Sequence, residues 1–428
     1  MTRIHASPVR RAVRRAPRLA AGALALGASA ALLAGCASAP AAAPAADVDP
    51  STPAEREVAA TRVVAAYDGG LLVLEGDTLE VVADLPLDGF LRLHPAGDGR
   101  RVAVATDDAF RFLDTGVTVE EHGDHAHYRA VDPELTALTV PAEHPGHVTV
   151  NGGITALFAD GTGDVVHFES ERLRRSPADV DALGAEVHES AAAHHGVAVA
   201  LPDGGLLTTI GTEESRTGAH VLDADGNELA RAEDCPGVHG ETVAADGVVV
   251  LGCEDGVLVW RDGAFAKVAA PDTYGRIGNQ AGSAESPIVL GDYKSDPDAD
   301  LERPTRVSLV DTVAGSIRLV DLGTSYTFRS LARGPHDEAL VLGTDGAVHV
   351  IDPVAGTVIA RIPVVDAWTE PTAWQEPRPA LRVEGHRAYV TDPDRATVHV
   401  VDLDRAEVVA SAVLPHVPNE LSGVGAGH

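Results

Sequence analysis

ALVLGTDGAVHVIDPVAGTVIARIPV (residues 339–364) decides how this chain is read. An apolar run meets the turn signal Gly343-Thr344-Asp345-Gly346, and a second run from Ala347 ends on Asp352. After Val354-Ala355-Gly356 a third run follows, with Val358, Ala360 and Ile362 alternating with their neighbours. β-Branched residues at a period of two, broken by Gly and Asp, read as short antiparallel strands. The plan returns in VVVLGCEDGVLVWRDGAFAKVA (248–269), AYVTDPDRATVHVVDLDRAEVVASAVLP (388–415) and RVAVATDDAFRFLDTGVTV (101–119). Looser copies bring the equivalent strand positions to eight, near residues 64, 102, 156, 207, 249, 289, 340 and 389. Their separation of 38 to 54 residues is the period of a four-stranded propeller blade. The expected fold is therefore all-β, a single β-propeller of four-stranded blades spanning residues 58–428. The count favours eight blades, or seven if the first hairpin only decorates the closure. Val63–Ala83 lacks an inner strand of its own, and PNELSGV (418–424) is expected to supply it by joining the two ends.

Residues before this pattern have another character. Arg3, Arg10, Arg11, Arg14, Arg15 and Arg18 precede an apolar run of small residues from Leu19 to Ala34, which ends in LLAGC. This is the layout of a secretory signal, expected over 1–35. Leu33-Ala34-Gly35-Cys36 matches a lipoprotein box in which Cys36 carries the lipid. An ordinary signal peptide or an anchor helix is the alternative. Residues 36–57, rich in Ala and Pro, read as a tether. The expected place is outside the cell, lipid-anchored to the outer face of the cytoplasmic membrane.

The chain carries a net charge of −31. Taking the six leader arginines from 33 basic residues leaves 27 against 64 acidic ones, or −37. Such a surface repels phosphate backbones and argues against nucleic-acid partners. It suits both solubility and the steering of cations. Beyond Cys36 only Cys235 and Cys253 remain, 18 apart, and a disulfide is expected in an oxidising compartment. A thiolate metal site is the alternative, without any CxxC spacing to support it.

Inner strands placed before the eight positions begin near His147 in PGHVTV, His194 and His195 in HHGVAV, and His239 in VHGETV. In a propeller such starts converge on one mouth of the central channel. Three successive blades thus present histidine in step with the blade period, and His147, His194 and His239 are the expected ligands. His195 faces the other way from His194, and the sequence alone does not fix which points inward. Hydrogen-bonded channel histidines are the bland alternative for all of them.

EHGDHAHYRA (121–130) lies in a long connection between the strand at 110–113 and the inner strand at His147. His125 and His127 share one side of an extended segment, and Gly123 permits a turn that brings His122 to them. Imidazoles so placed suit borderline divalent ions, zinc above all, with Asp124 as a fourth ligand or a tautomer-fixing acceptor. The alternative is an unliganded polar loop. The expected metal set is His122, Asp124, His125, His127, His147, His194 and His239.

HGDHAHYRA, PGHVTV, the HHG at 194–196, CPGVHGE, VLGTDGAVHVIDP and the WQEP at 374–377 together resemble the AztD-type zinc metallochaperones. These are extracytoplasmic propellers that work beside a zinc ABC importer. The resemblance covers most of the chain after residue 60. It implies Zn(II) bound by the histidines and direct transfer to the importer's solute-binding protein. LLAGC adds a membrane tether where that family includes soluble periplasmic members.

The expected function is a monomeric zinc carrier that is not an enzyme. A metal-dependent propeller hydrolase or lactonase is one rival, with Asp124, Glu143 and Glu241 as candidate bases. No GxSxG nucleophile motif supports it. A metal-free interaction propeller is the other rival.

Overall fold

The structure, a computed structural model, describes residues 54–56, 61–122 and 125–425, with the side chains of 54–56 and 119–127 excepted. The expected leader 1–35, the lipidation at Cys36 and most of the tether 36–57 lie outside the described residues. The tether's Ala54–Arg56 form a strand.

Among the described residues, eight antiparallel sheets of four blade strands make an eight-bladed propeller, and one of them also takes the two-residue strand Gly275–Arg276 in parallel beside Asp255–Arg261. Each expected strand position falls in the second strand of a blade: Thr61–Tyr67, Arg101–Ala105, Ile154–Ala159, Leu206–Gly211, Val248–Cys253, Ser286–Gly291, Ala339–Leu342 and Arg387–Asp392. Blades are numbered 1 to 8 in that order. Successive inner strands lie beside one another around the axis.

The opening stretch is the outer three strands of blade 7. Ala339–Leu342 is wholly buried, whereas Thr357–Pro363 alternates between exposed and covered positions as an outer edge does. Asp352 explains the sharp turn between its third and fourth strands. Its Oδ1 accepts from the backbone N–H groups of Val354 and Ala355, both at 2.9 Å. Gly356 then takes a φ of +69°, which glycine adopts without a Cβ clash. Asp311 holds the equivalent turn of blade 6 through Val313 and Ala314.

A sheet buried on both faces needs a neighbour on each side, and the apolar packing shows where each one is. Eight buried clusters each span one pair of adjacent blades. The cluster joining blade 8 to blade 1 contains Val63, Leu72, Leu74, Tyr389, Val398 and Leu414. The ring is closed by the strand Leu421–Gly425, which pairs antiparallel with Thr61–Ala65 as the inner strand of blade 1. Glu420 anchors its start on the buried Arg329 guanidinium at 2.6 Å. Cys235 and Cys253 form a disulfide that ties the approach to blade 5 to the end of its second strand.

Two features depart from expectation. EHGDHAHYRA is not a loop between blades. Val117–His122 and His125–Ala130 make a β-hairpin between the third and outermost strands of blade 2, with His122 opposite His125 and Glu120 opposite His127. Ala54–Arg56 adds a third strand beside Tyr128–Ala130. The pairing satisfies backbone groups that an open loop leaves to water. Blade 3 also carries a 3₁₀ turn, Ser170–Arg175, and one helical turn, Val180–Leu183, capped by the Asp179 carboxylate on Ala182 N–H.

A chain ending at Asn419 loses the closing strand and leaves the Arg329 guanidinium without its carboxylate. Breaking one buried pair costs about 3–5 kcal/mol, and the lost inner strand adds to it. Cys235→Ser/Cys253→Ser removes a cross-link worth about 3 kcal/mol. The truncation is expected to lower the urea unfolding midpoint more than the cysteine double variant does. The reverse order would show that the ring does not depend on its closing strand.

Candidate metal centre

The inner strands of blades 3 and 5, Pro145–Asn151 and His239–Ala244, each start with a register shift. In blade 3 the shift falls between Pro145 and Val148, and in blade 5 between His239 and Glu241. A bulge re-aims the side chain beside it, so His147 and His239 leave the regular pleat at the channel mouth. Gly240 makes the second bulge possible. It has a φ of +73°, and a Cβ there would stand 2.4 Å from the Gly278 carbonyl oxygen.

His195 reaches the same point from the turn before the inner strand of blade 4. The rings of His147 and His195 are centred 5.3 Å apart, His147 and His239 5.5 Å, and His195 and His239 4.8 Å. One ligand nitrogen from each lies within 4.8 Å of the others. A tetrahedral zinc ion with bonds of 2.0–2.1 Å needs about 3.3 Å between ligand atoms, a gap that small ring rotations cover.

Two of the rings are held by a hydrogen bond from the other nitrogen, and the third has a carboxylate beside it. His195 Nδ1 donates to Asp160 Oδ2 at 2.5 Å, and His239 Nδ1 donates to the Gly278 carbonyl at 2.6 Å. His147 Nδ1 lies 2.9 Å from Glu241 Oε2. With Nδ1 engaged on His195 and His239, Nε2 is the nitrogen those two rings leave for a ligand. The acceptor behind each of them fixes the tautomer. Gly278 is itself held, because its N–H and that of Asn279 donate to the buried Asp292 carboxylate at 2.7 and 3.0 Å.

The centre opens into an axial cavity of about 530 Å³. Arg92, Arg276 and Lys294 bring positive charge to its wall, Glu241 and Asp292 negative charge, and Phe328 and Trp374 aromatic surface. Burial, reinforced by repulsion from His147 and His195, pushes the His239 imidazole well below its ordinary pKa and keeps it neutral. His94, on the inner strand of blade 2, lines the same cavity. Burial and the neighbouring Arg92 lower it in the same way, and its Nε2 has no protein partner among the described residues.

His194 is not at the centre, and His195 stands there instead. The His194 ring is turned into the core and is 3% exposed. Its Nδ1 faces the Ala192 carbonyl and its Nε2 faces Thr209 Oγ1, both at 3.0 Å. The ring also packs edge-on against Phe158. These partners satisfy both nitrogens, and Gly196 allows the close fit, since a Cβ there would meet His194 Nε2 at 2.7 Å. Adjacent residues in an extended segment face opposite ways, so burying one exposes the other. His147 and His239 lie together as expected of neighbouring inner strands. Asp124 and the side chains of His122, His125 and His127 lie outside the described residues. Asp160, in the Ala159-Asp160-Gly161 turn of blade 3, was missed because a turn aspartate carries no signal of its partner. Glu241, weighed as a catalytic base, is occupied by His147.

His94 carries a testable consequence. The unfolded chain takes up a proton at this imidazole below about pH 6.5, while the folded chain resists it. Stability therefore falls as pH drops through that value, by at most about 1.4 kcal/mol per pH unit for this one group. Urea unfolding of the metal-free protein between pH 7.5 and 5 is expected to show a shallower decline in His94→Leu than in the wild type. Parallel curves would mean that His94 protonates freely in the folded state.

No protein-family model matches the chain. The zinc chaperone AztD of Citrobacter koseri is 25% identical over 321 residues, covering 73% of each chain. The crystal structure of Citrobacter koseri AztD superposes with a TM-score of 0.75 at 23% identity, over 86% of this chain and 99% of that one. The apo form of the same protein gives 0.73 at 22% identity. The dihydro-haem d1 dehydrogenase NirN is more remote, with a TM-score of 0.53 at 15% identity over 85% of this chain and 74% of its own. In sequence along most of the chain, and in fold, this protein is similar to the zinc chaperone AztD.

Proposed function

We propose that this chain is an extracytoplasmic zinc carrier, without catalytic activity, that delivers Zn(II) to the solute-binding protein of a zinc ABC importer. The observation that carries the reading is the convergence of His147, His195 and His239, each with an oxygen acceptor beside its Nδ1. The likeness to a protein named as a zinc chaperone supports the metal and the role. The Cys235–Cys253 disulfide fits an oxidising compartment, and lipidation at Cys36 with a tether over 36–57 is part of the same proposal.

Zinc is the cargo. Three imidazole ligands leave a tetrahedral ion one position that an incoming ligand can take. Glu241 and Asp160 orient rings instead of standing free as bases, which favours carriage over hydrolysis. Arg276 and Lys294 on the cavity wall oppose a dication and partly offset the pull of an acidic protein, a balance suited to release. The hairpin histidines His122, His125 and His127, with Asp124, are proposed as the movable ligands that pass the ion on. The protein acts as a monomer, with a lipid anchor as its membrane contact and no nucleic-acid partner.

Zinc titration of protein without an affinity tag is expected to lose one equivalent in His147→Ala, His195→Ala or His239→Ala. His194→Ala should keep that equivalent and unfold more readily. If His194→Ala loses zinc while His195→Ala retains it, the placement of these neighbours is wrong. Affinity should also weaken as pH falls, because protons compete for the same nitrogens, and burial, which holds the His239 imidazole well below its ordinary pKa, sets that ligand's loss at the lower pH.

Transfer is tested by mixing zinc-loaded protein with the zinc-free solute-binding protein of the importer. Zinc should move faster than it is lost to a chelator of equal affinity. The variant His122→Ala/His125→Ala/His127→Ala is expected to slow that transfer. Unchanged rate and stoichiometry would remove the hairpin from the pathway.

A further inference from the structure

The face opposite the three-histidine centre holds a second cluster. The centre stands where inner strands begin. His336 and His386 stand where they end, in the turns after Leu331–Arg333 of blade 7 and Leu381–Glu384 of blade 8. Asp404 comes from the turn between Thr397–Asp402 and Glu407–Val413, the third and fourth strands of blade 8. In an antiparallel blade the turn after the first strand and the turn after the third lie at the same end. All three residues therefore share one face at the seam between blades 7 and 8.

The side chains are already gathered around one carboxylate. His336 Nε2 donates to Asp404 Oδ1 at 3.3 Å, and His386 Nδ1 donates to the same oxygen at 3.2 Å. Asp404 Oδ2 is 3.0 Å from His386 Nδ1, and the two rings are 5.5 Å apart in an edge-on arrangement. One ligand atom from each of the three residues lies within 4.8 Å of the others. The hydrogen bonds from both histidines hold the Asp404 carboxyl below its usual range, so it is ionised.

The supporting backbone is short and pinned. Leu403 N–H donates to the His386 carbonyl at 3.1 Å, fastening the two blade-8 turns together. His336 N–H donates to Glu338 Oε2 at 3.0 Å, and Arg333 donates to the Asp337 carbonyl at 2.6 Å. Ser283 from blade 6 also bonds the Asp337 carboxylate. The ligand-bearing turns are thus set by the fold, and little backbone order has to be gained on binding.

We propose that His336, His386 and Asp404 form a second, solvent-exposed site for a borderline divalent ion, with zinc as the first candidate. Two imidazoles and one carboxylate match the donor set that such ions take, and water completes the coordination. The site differs from the centre in one respect. Among the described residues its imidazoles have no further carboxylate or carbonyl behind them, because the acceptor they share is itself the third ligand. Orienting partners of that kind are worth 10–100-fold in metal affinity, so the second site is expected to bind about 10–100-fold more weakly than the centre.

Calorimetric titration with Zn(II) alone, on full-length protein without a tag, tests this. His336→Ala/His386→Ala is expected to lose one weak equivalent while keeping the tight one. The same weak equivalent should persist in His147→Ala/His195→Ala/His239→Ala and vanish when the two sets are combined, which separates failure here from failure of the central site. Asp404→Asn, which preserves the shape of the turn, should weaken that equivalent and serves if the alanine variants fold poorly. Equal weak binding with and without His336, His386 and the Asp404 charge would overturn the proposal. It would leave the cluster as a surface hydrogen-bond network.

Discussion

The structure depends on one requirement: a sheet that is apolar on both faces must be covered on both. Each blade contributes two such faces, and a linear stack would leave the first and last bare. Closing the ring removes that cost, and the eight apolar clusters, one at every seam, are its physical record. The pairing of Leu421–Gly425 with Thr61–Ala65 closes the ring through backbone hydrogen bonds, because one blade is built from both ends of the described chain.

Closure creates an axis, and the axis creates the site. Residues nearly a hundred positions apart, from His147 to His239, meet because their strands start at the same height around one channel. The bulges at Gly146-His147 and Gly240 then turn the side chains out of the pleat. What makes the cluster a plausible ligand set is the layer behind it. Asp160, Glu241 and the Gly278 carbonyl stand beside one nitrogen of each ring, and Asp292 holds Gly278 in turn. The cavity keeps its own charge balance inside a strongly acidic chain, so the local field at the centre is not the field of the surface.

Most of the fold could be read from the chain because blade architecture is repetitive and local. Every turn aspartate in DPVAGT or DTVAGS and every β-branched alternation repeats a signal, and eight repetitions average out single ambiguities. The site was legible only in part. Spacing brought His147 and His239 to one mouth, since phase against the blade period is a sequence property. It could not choose between His194 and His195, where a shift of one residue reverses inside and outside and the outcome depends on Thr209 and Phe158 in other strands. The hairpin at 117–130 was taken for a loop because Gly123-Asp124 and three histidines mask the strand pattern. His386 gained a partner in His336 only through the meeting of two blades.

By itself, then, the sequence determined an all-β propeller with eight blades favoured over seven, the strand that closes it, a disulfide as the expected state of its two downstream cysteines, and a histidine-bearing mouth. These follow from periodicity, turn chemistry and the number of cysteines, all of which act over a few residues or are counted directly. Tertiary structure alone decided which histidines face one another, which carboxylates stand behind them, and that a second cluster gathers on the far face. Those outcomes hang on side-chain packing between blades, where a neighbour distant in sequence decides which way each ring turns.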